Sequence, residues 1–285
     1  MKKILVCLLL VLNLYGVEFQ PVHSSAQFYM ESKDFDNSRQ KIDGVVYGIG
    51  ADVHIQNSEI RMTYEYGKTQ TKQPPLNKDL KVEKLFLRYA YAFDKNFAFN
   101  LNYLTVLHDN IAITDGGDAY GAGLSYLPSK KLGMNVTQYY TDYKDFDVYQ
   151  SNVTLDYKIR IGAYKIKLTS ESLYINIDEA HRNKFTKNAK KSYFTSAVKL
   201  HAHYNTWHFG TAAYFGKRVF AVMNDGFKLQ HHAMAFDRTY AAGVGKTIGK
   251  AVVRVQYIYQ RATELPMKNK NVEVKNIRAI INYKF

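Results

Sequence analysis

The sequence predicts an all-β protein, a transmembrane antiparallel up-and-down β-barrel of about 14 strands. Three observations predict it. Apolar and polar residues alternate in segment after segment, up to the last residue, Phe285. Short and long spacers take turns between those segments. The composition is rich in aromatic residues, with 24 Tyr and 16 Phe, and its single cysteine lies in the first ten residues. An alternation of period two is that of a strand with one oily and one wet face.

The N-terminus comes first. Lys2 and Lys3 precede an apolar run from Ile4 to Leu12, then Asn13, Leu14, Tyr15 and Gly16. Charged, oily and small-residue parts in that order predict a secretory signal peptide over 1–16, too short to span a bilayer. The barrel domain is then 17–285. Cys7 lies inside the oily part and not after it, which argues against a lipoprotein, and the exported chain has no thiol or disulfide. No later apolar stretch reaches the length of a membrane-spanning helix. Without Lys2 and Lys3 the formal net charge of +14 becomes +12. An exported β-protein has little access to nucleic acid, so the basicity is assigned to the wet face of the strands.

Strands are expected at 22–33, 42–55, 58–69, 80–93, 97–107, 118–127, 132–143, 147–160, 163–177, 192–204, 206–219, 236–248, 251–262 and 272–285. An even count suits an up-and-down barrel, with 12 and 16 as the neighbouring alternatives. The faces agree: Leu85, Leu87, Tyr89, Tyr91 and Phe93 alternate with Lys84, Arg88, Ala90 and Ala92, and Val253, Val255, Tyr257 and Tyr259 with Arg254, Gln256 and Gln260. The oily face is read as outward to lipid and the polar face as lining water. Between Ile161 and Ile177 the phase slips; a bulge near Thr169 to Ser172 would restore it, and a miscounted strand is the competing explanation.

In the last strand Ile277, Ala279, Ile281, Tyr283 and Phe285 share the oily face. Ile281, Tyr283 and the terminal Phe285 resemble the C-terminal assembly signal of Gram-negative outer-membrane barrels. That resemblance implies recognition by the barrel-assembly machinery and pairing with the first strand. Length and strand count are similar to those of the small monomeric 14-stranded channel-forming porins. This implies an outer-membrane location among lipid and lipopolysaccharide, a monomer more than a trimer, and passive diffusion of ions and small solutes. It also implies no cofactor, metal or catalytic residue. A non-pore barrel (an adhesin or structural protein) and an outer-membrane hydrolase are the competing classes.

Alternation places Arg61, Lys84, Arg88, Lys158, Arg160, Lys165, Lys167, Lys199, Arg218, Arg254, Arg278 and Lys284 on the lumenal side. The acids placed there are fewer: Asp52, Glu59, Glu65, Asp156 and Glu171. A basic lumen of low dielectric favours anions. His203 and His208 would face each other across a turn at Asn205-Thr206, with His201 on the same side, a pair placed to respond to pH. His231 and His232 are adjacent in a long loop, and their side chains are expected to diverge. Asp115-Gly116-Gly117-Asp118 reads as a Gly-rich loop tip. The hydrolase class has its nearest candidates in His108-Asp109 and in Asp178-Glu179 with His181, neither beside a recognisable nucleophile. No N-terminal segment is long enough to fill the lumen, so it is expected to be unplugged.

Overall fold

The computed structural model describes residues 23–110, 113–179, 181, 183–184 and 186–285. The expected signal peptide lies outside the described residues. Fourteen strands form one closed antiparallel barrel: β1 (His23–Asp36), β2 (Lys41–Ile55), β3 (Ser58–Thr71), β4 (Leu80–Ala92), β5 (Phe97–Asp109), β6 (Asp118–Tyr126), β7 (Leu132–Tyr143), β8 (Phe146–Ile161), β9 (Tyr164–Asp178), β10 (Ser192–Tyr204), β11 (Trp207–Arg218), β14 (Met234–Ile248), β15 (Ala251–Glu264) and β16 (Asn269–Lys284). Two short strands, β12 (Val222–Met223) and β13 (Lys228–Leu229), pair with each other inside the connection between β11 and β14. The barrel closes where β1 meets β16, with Phe28 opposite Ile281 and Ser25 opposite Lys284. Closure leaves no open sheet edge, the condition for β-structure in hydrocarbon.

One end of the barrel carries only tight connections, at 56–57, 93–96, 127–131, 162–163, 205–206 and 249–250. In each of the four two-residue turns the first residue takes a left-handed φ: 51° at Gln56, 57° at Gly162, 51° at Asn205 and 58° at Gly249. Positive φ gives the primed turns whose twist matches a hairpin. The other end is mixed. Connections 72–79, 110–117, 179–191 and 219–233 are long, whereas 37–40, 144–145 and 265–268 are short. The expected short-long alternation therefore holds strictly at the turn end only. Short turns mark the periplasmic side of such barrels.

The large apolar side chains point outward. Leu124, Ile49, Ile248 and Phe285 are each at least 60% exposed. Aromatic pairs border this band, stacked for Tyr164 with Tyr204 and Phe97 with Tyr126 at the turn end, tilted for Tyr140 with Tyr149 and Tyr103 with Tyr120 at the loop end. On β9 the outward aromatics Tyr164 and Tyr174 lie ten positions apart, about 33 Å along the strand and about 25 Å along the axis at the usual tilt.

Two expectations fail, for one reason. The bulge predicted at Thr169 to Ser172 is absent: β9 keeps unbroken register with β8 and β10, and Leu173, Ile175 and Ile177 point into the barrel. Register shifts lie instead at Lys41/Gly44, Glu83/Lys84, Phe215/Arg218, Phe236/Arg238 and Ala262/Glu264, all near the loop end. Nor is the lumen unplugged, because residues 219–233 fold into it. Val219, Phe220, Ala221 and Met223 are buried among Tyr143, Phe146, Ile175 and Ile177, while Val222 and Leu229 are buried against Phe86, Leu104 and Val106. The inward apolar residues of β9 are thus the barrel's half of an internal core. Burying each such side chain contributes about 1.5–3 kcal/mol relative to exposure.

Candidate channel lumen

Gln150 anchors the inserted segment, its side-chain oxygen accepting from Val222 N at 2.9 Å and its amide donating to Val222 O at 2.6 Å. The tip that follows, Asn224-Asp225-Gly226, runs in left-handed φ and reaches across to Asn102 of β5. A Cβ on Gly226 would stand 2.7 Å from the Asn102 amide oxygen, so the tip fits only as glycine. Phe227 lies against Arg61, whose guanidinium sits 5.9 Å from the ring centre.

Polar space remains on both sides of the tip. One cavity of about 390 Å³ is lined by Arg88, Asn135, Asp156, Lys167, Lys199 and Asp225. Another of about 410 Å³ is lined by Arg61, Asp52, Asn224, Lys228, Arg254 and Arg278. Both lie toward the turn end, where most inward residues are polar, glycine or alanine.

The sequence-selected cations all fall on the inward face, but in three different settings. Several are tied to acids: Arg61 and Arg88 to Glu59 (2.5 and 3.2 Å), Lys167 to Asp156 (2.9 Å), Lys199 to Glu171 (2.8 Å), Lys84 to Glu65, and Arg278 to Glu31. Glu31 was not among the acids picked from the sequence, although its phase on β1 places it with them. Lys84 and Arg218 are buried beneath the inserted segment. Arg218 donates to Thr239 and packs over the rings of Tyr214 and Phe236. Lys158, Arg160, Lys165 and Lys284 stand at the turn end, and none of them, nor Arg254, is in an ion pair among the described residues.

His203 lies opposite His208 with ring centres 4.5 Å apart, and His201 is 6.2 Å from His203. His208 Nε2 is 2.6 Å from Thr247 Oγ1. His231 and His232 do not diverge: their rings approach to 4.1 Å inside the plug, with His231 Nδ1 3.5 Å from Lys84 Nζ. Burial first, then the nearby Lys84 and Lys33, holds the His231 imidazole well below its ordinary value. Burial, then His231 and Lys41, does the same to His232. Lys228 on the same segment is pulled down to about 8 by burial, opposed by Glu31. The acids of the 110–117 region are used locally: Asp115 accepts from Asp109 N, Asp109 from Thr114 Oγ1, and Asp118 from the Tyr103 hydroxyl. His108 Nδ1 stands 3.9 Å from Asp115 at the exposed loop end.

No family model and no curated protein matches the sequence. Solved structures do match in three dimensions. A bacterial polysaccharide outer membrane secretin aligns over 92% of this chain and 98% of its own, with a TM-score of 0.58 and 9% identity. The Ralstonia pickettii toluene transporter TbuX aligns over 92% and 88%, with a TM-score of 0.54 and 10% identity. Acinetobacter baumannii outer membrane protein Omp33 aligns over 93% and 100%, with a TM-score of 0.51 and 10% identity. The chain has the fold of outer-membrane β-barrels. At such identities the likeness is one of architecture, so the chemistry of this barrel rests on its own lumen. That lumen offers charged and polar walls and a folded-in segment at the loop end.

Proposed function

We propose that this protein is an outer-membrane channel for small hydrophilic anions, held narrow by its inserted 219–233 segment. The observation that carries the reading is the charge balance of the inward wall. Glu31, Glu59, Glu65, Asp156 and Glu171 are each paired with Lys or Arg, Asp52 lies opposite Arg61 and 3.6 Å from His54, and Asp225 at the plug tip adds one further acid. Arg254, Lys158, Arg160 and Lys165 add positive charge with no acid facing them in the register. In a narrow, partly dehydrated passage such an excess raises the local anion concentration and lowers that of cations.

Ion pairing ranks the cations as reporters of selectivity. Arg88 shares Glu59 with Arg61, so the carboxylate offsets part of its field. Arg254 is unpaired and lines the cavity beside the plug tip. Reversal potentials of the purified channel in a KCl gradient should favour chloride, and Arg254→Glu should shift them toward potassium more than Arg88→Glu does. Raising the salt should shrink the preference as screening shortens. A cation-selective wild-type channel overturns the reading, as does absence of conductance both in the wild type and after replacing 224–227 by a flexible linker.

A further inference from the structure

Resting on that anion-channel reading, we propose that the turn end holds a binding site for solutes bearing two or more carboxylate or phosphate groups. The register shows it. Arg160 lies opposite Lys165, Lys165 opposite His203, His203 opposite His208, His208 opposite Gly245, and Gly245 opposite Arg254. All take the inward phase, because their neighbours Ile161, Tyr164, Tyr204, Trp207, Val244 and Val253 are exposed on the outside. Five basic side chains thus stand in one row across six adjacent strands. At the usual strand spacing that row is about 24 Å long.

The row has a second tier. Lys158 lies opposite Lys167 and Lys167 opposite His201, and the same line continues through Gly210 and Gly243 to Gln256. The glycines open a recess in the middle of the wall. A Cβ on Gly243 would stand 2.7 Å from Gln256 Cγ, and one on Gly245 2.5 Å from Arg254 Cγ. Their absence lets both long side chains lie back across β14 toward the histidines. A cavity of about 200 Å³ borders Gly210, His201 and Gln256. In the upper row, outside that cavity, Arg254 Nε and His208 Nδ1 are buried without a hydrogen-bond partner among the described residues.

Directly opposed like charges destabilise a sheet, and this wall has two such pairs, Arg160 with Lys165 and Lys158 with Lys167. Asp156 offsets Lys167 in the second pair and Glu171 is bound to Lys199, so the pair of Arg160 with Lys165 has no acid beside it in the register. A monovalent ion neutralises one position at a time. An anion with several charged groups spans neighbouring positions, and the Arg guanidinium and imidazole donors suit carboxylate or phosphate oxygens.

Titration calorimetry on the folded, detergent-solubilised barrel tests the site, with tripolyphosphate in one arm and citrate in the other at low ionic strength. Saturable binding is expected in at least one arm, and the arm that binds tells phosphate from carboxylate preference. Lys165→Gln combined with Arg254→Gln should weaken it at least tenfold, and Gly210→Leu should weaken it without removing a charge. Lys95→Gln, on the turn between β4 and β5, should leave it unchanged. Heat-modifiable migration on gels shows that each variant is folded. No saturable binding of either anion, or equal affinity in the double variant, overturns the site. A channel that still prefers chloride in that case retains the anion-channel reading, so the two failures are separable.

Discussion

Glu65 accepts from the Tyr29 hydroxyl at 2.7 Å and pairs with Lys84, all three buried inside the barrel wall. Gly48, directly beside Tyr29, has no Cβ because the phenol ring occupies that space. A buried pair of this kind adds little net stability, yet removing one partner strands the other charge at a cost of about 3–5 kcal/mol. Glu65→Ala should therefore lower the urea midpoint of the folded barrel markedly. Glu65→Gln, which keeps an acceptor for Tyr29, should lower it nearly as much because Lys84 remains unneutralised. Tryptophan fluorescence from Trp207, the only tryptophan, reports the transition.

At the scale of the element, the inserted 219–233 segment is held by apolar burial, by Gln150 and by the fit of Gly226, with two neutral histidines inside it. Lys84, Lys33 and Lys41 face these histidines from β4, β1 and β2, so protonation brings more positive charge into a basic, water-poor place. The ordinary value is 6.5 and the docked values are well below it. Docking is therefore fully supported above about pH 6.5 and weakens progressively as pH falls below it. Conductance should rise on acidification, and protease cleavage at Lys228 should become faster. His231→Gln with His232→Gln should flatten both responses. A plug equally protected at pH 7.5 and 5 would contradict this.

For the whole molecule, closure depends on one long antiparallel seam between β1 and β16, completed where Phe285 N donates to Ser24 O at 3.0 Å. Phe285 itself stays outside, 69% exposed and edge-on to Tyr283, at the position of the turn-end aromatic border. Deleting Phe285 is expected to reduce the fraction of protein that migrates as a heat-modifiable barrel while leaving export intact. Loss of export together with assembly would mean that the deletion acts before the barrel folds.

Strand count, the tight-turn end, the lipid-facing set and the lumenal phase of the cations named from the sequence follow from a period-two alternation, which neighbouring residues along the chain determine by themselves. His203 opposite His208 was legible for the same reason, since a two-residue turn leaves only one register. The tertiary structure alone decided the rest. Leu173, Ile175 and Ile177 look like a phase error in one strand until residues fifty positions away are seen to fold over them. Arg218 and Lys84 read as pore lining until that same segment buries them. The pairing of Glu31 with Arg278, and the basic row from Arg160 to Arg254, join strands far apart in the chain. Alternation tells which way a side chain points; what it meets there depends on how a closed barrel and one long loop share the enclosed space.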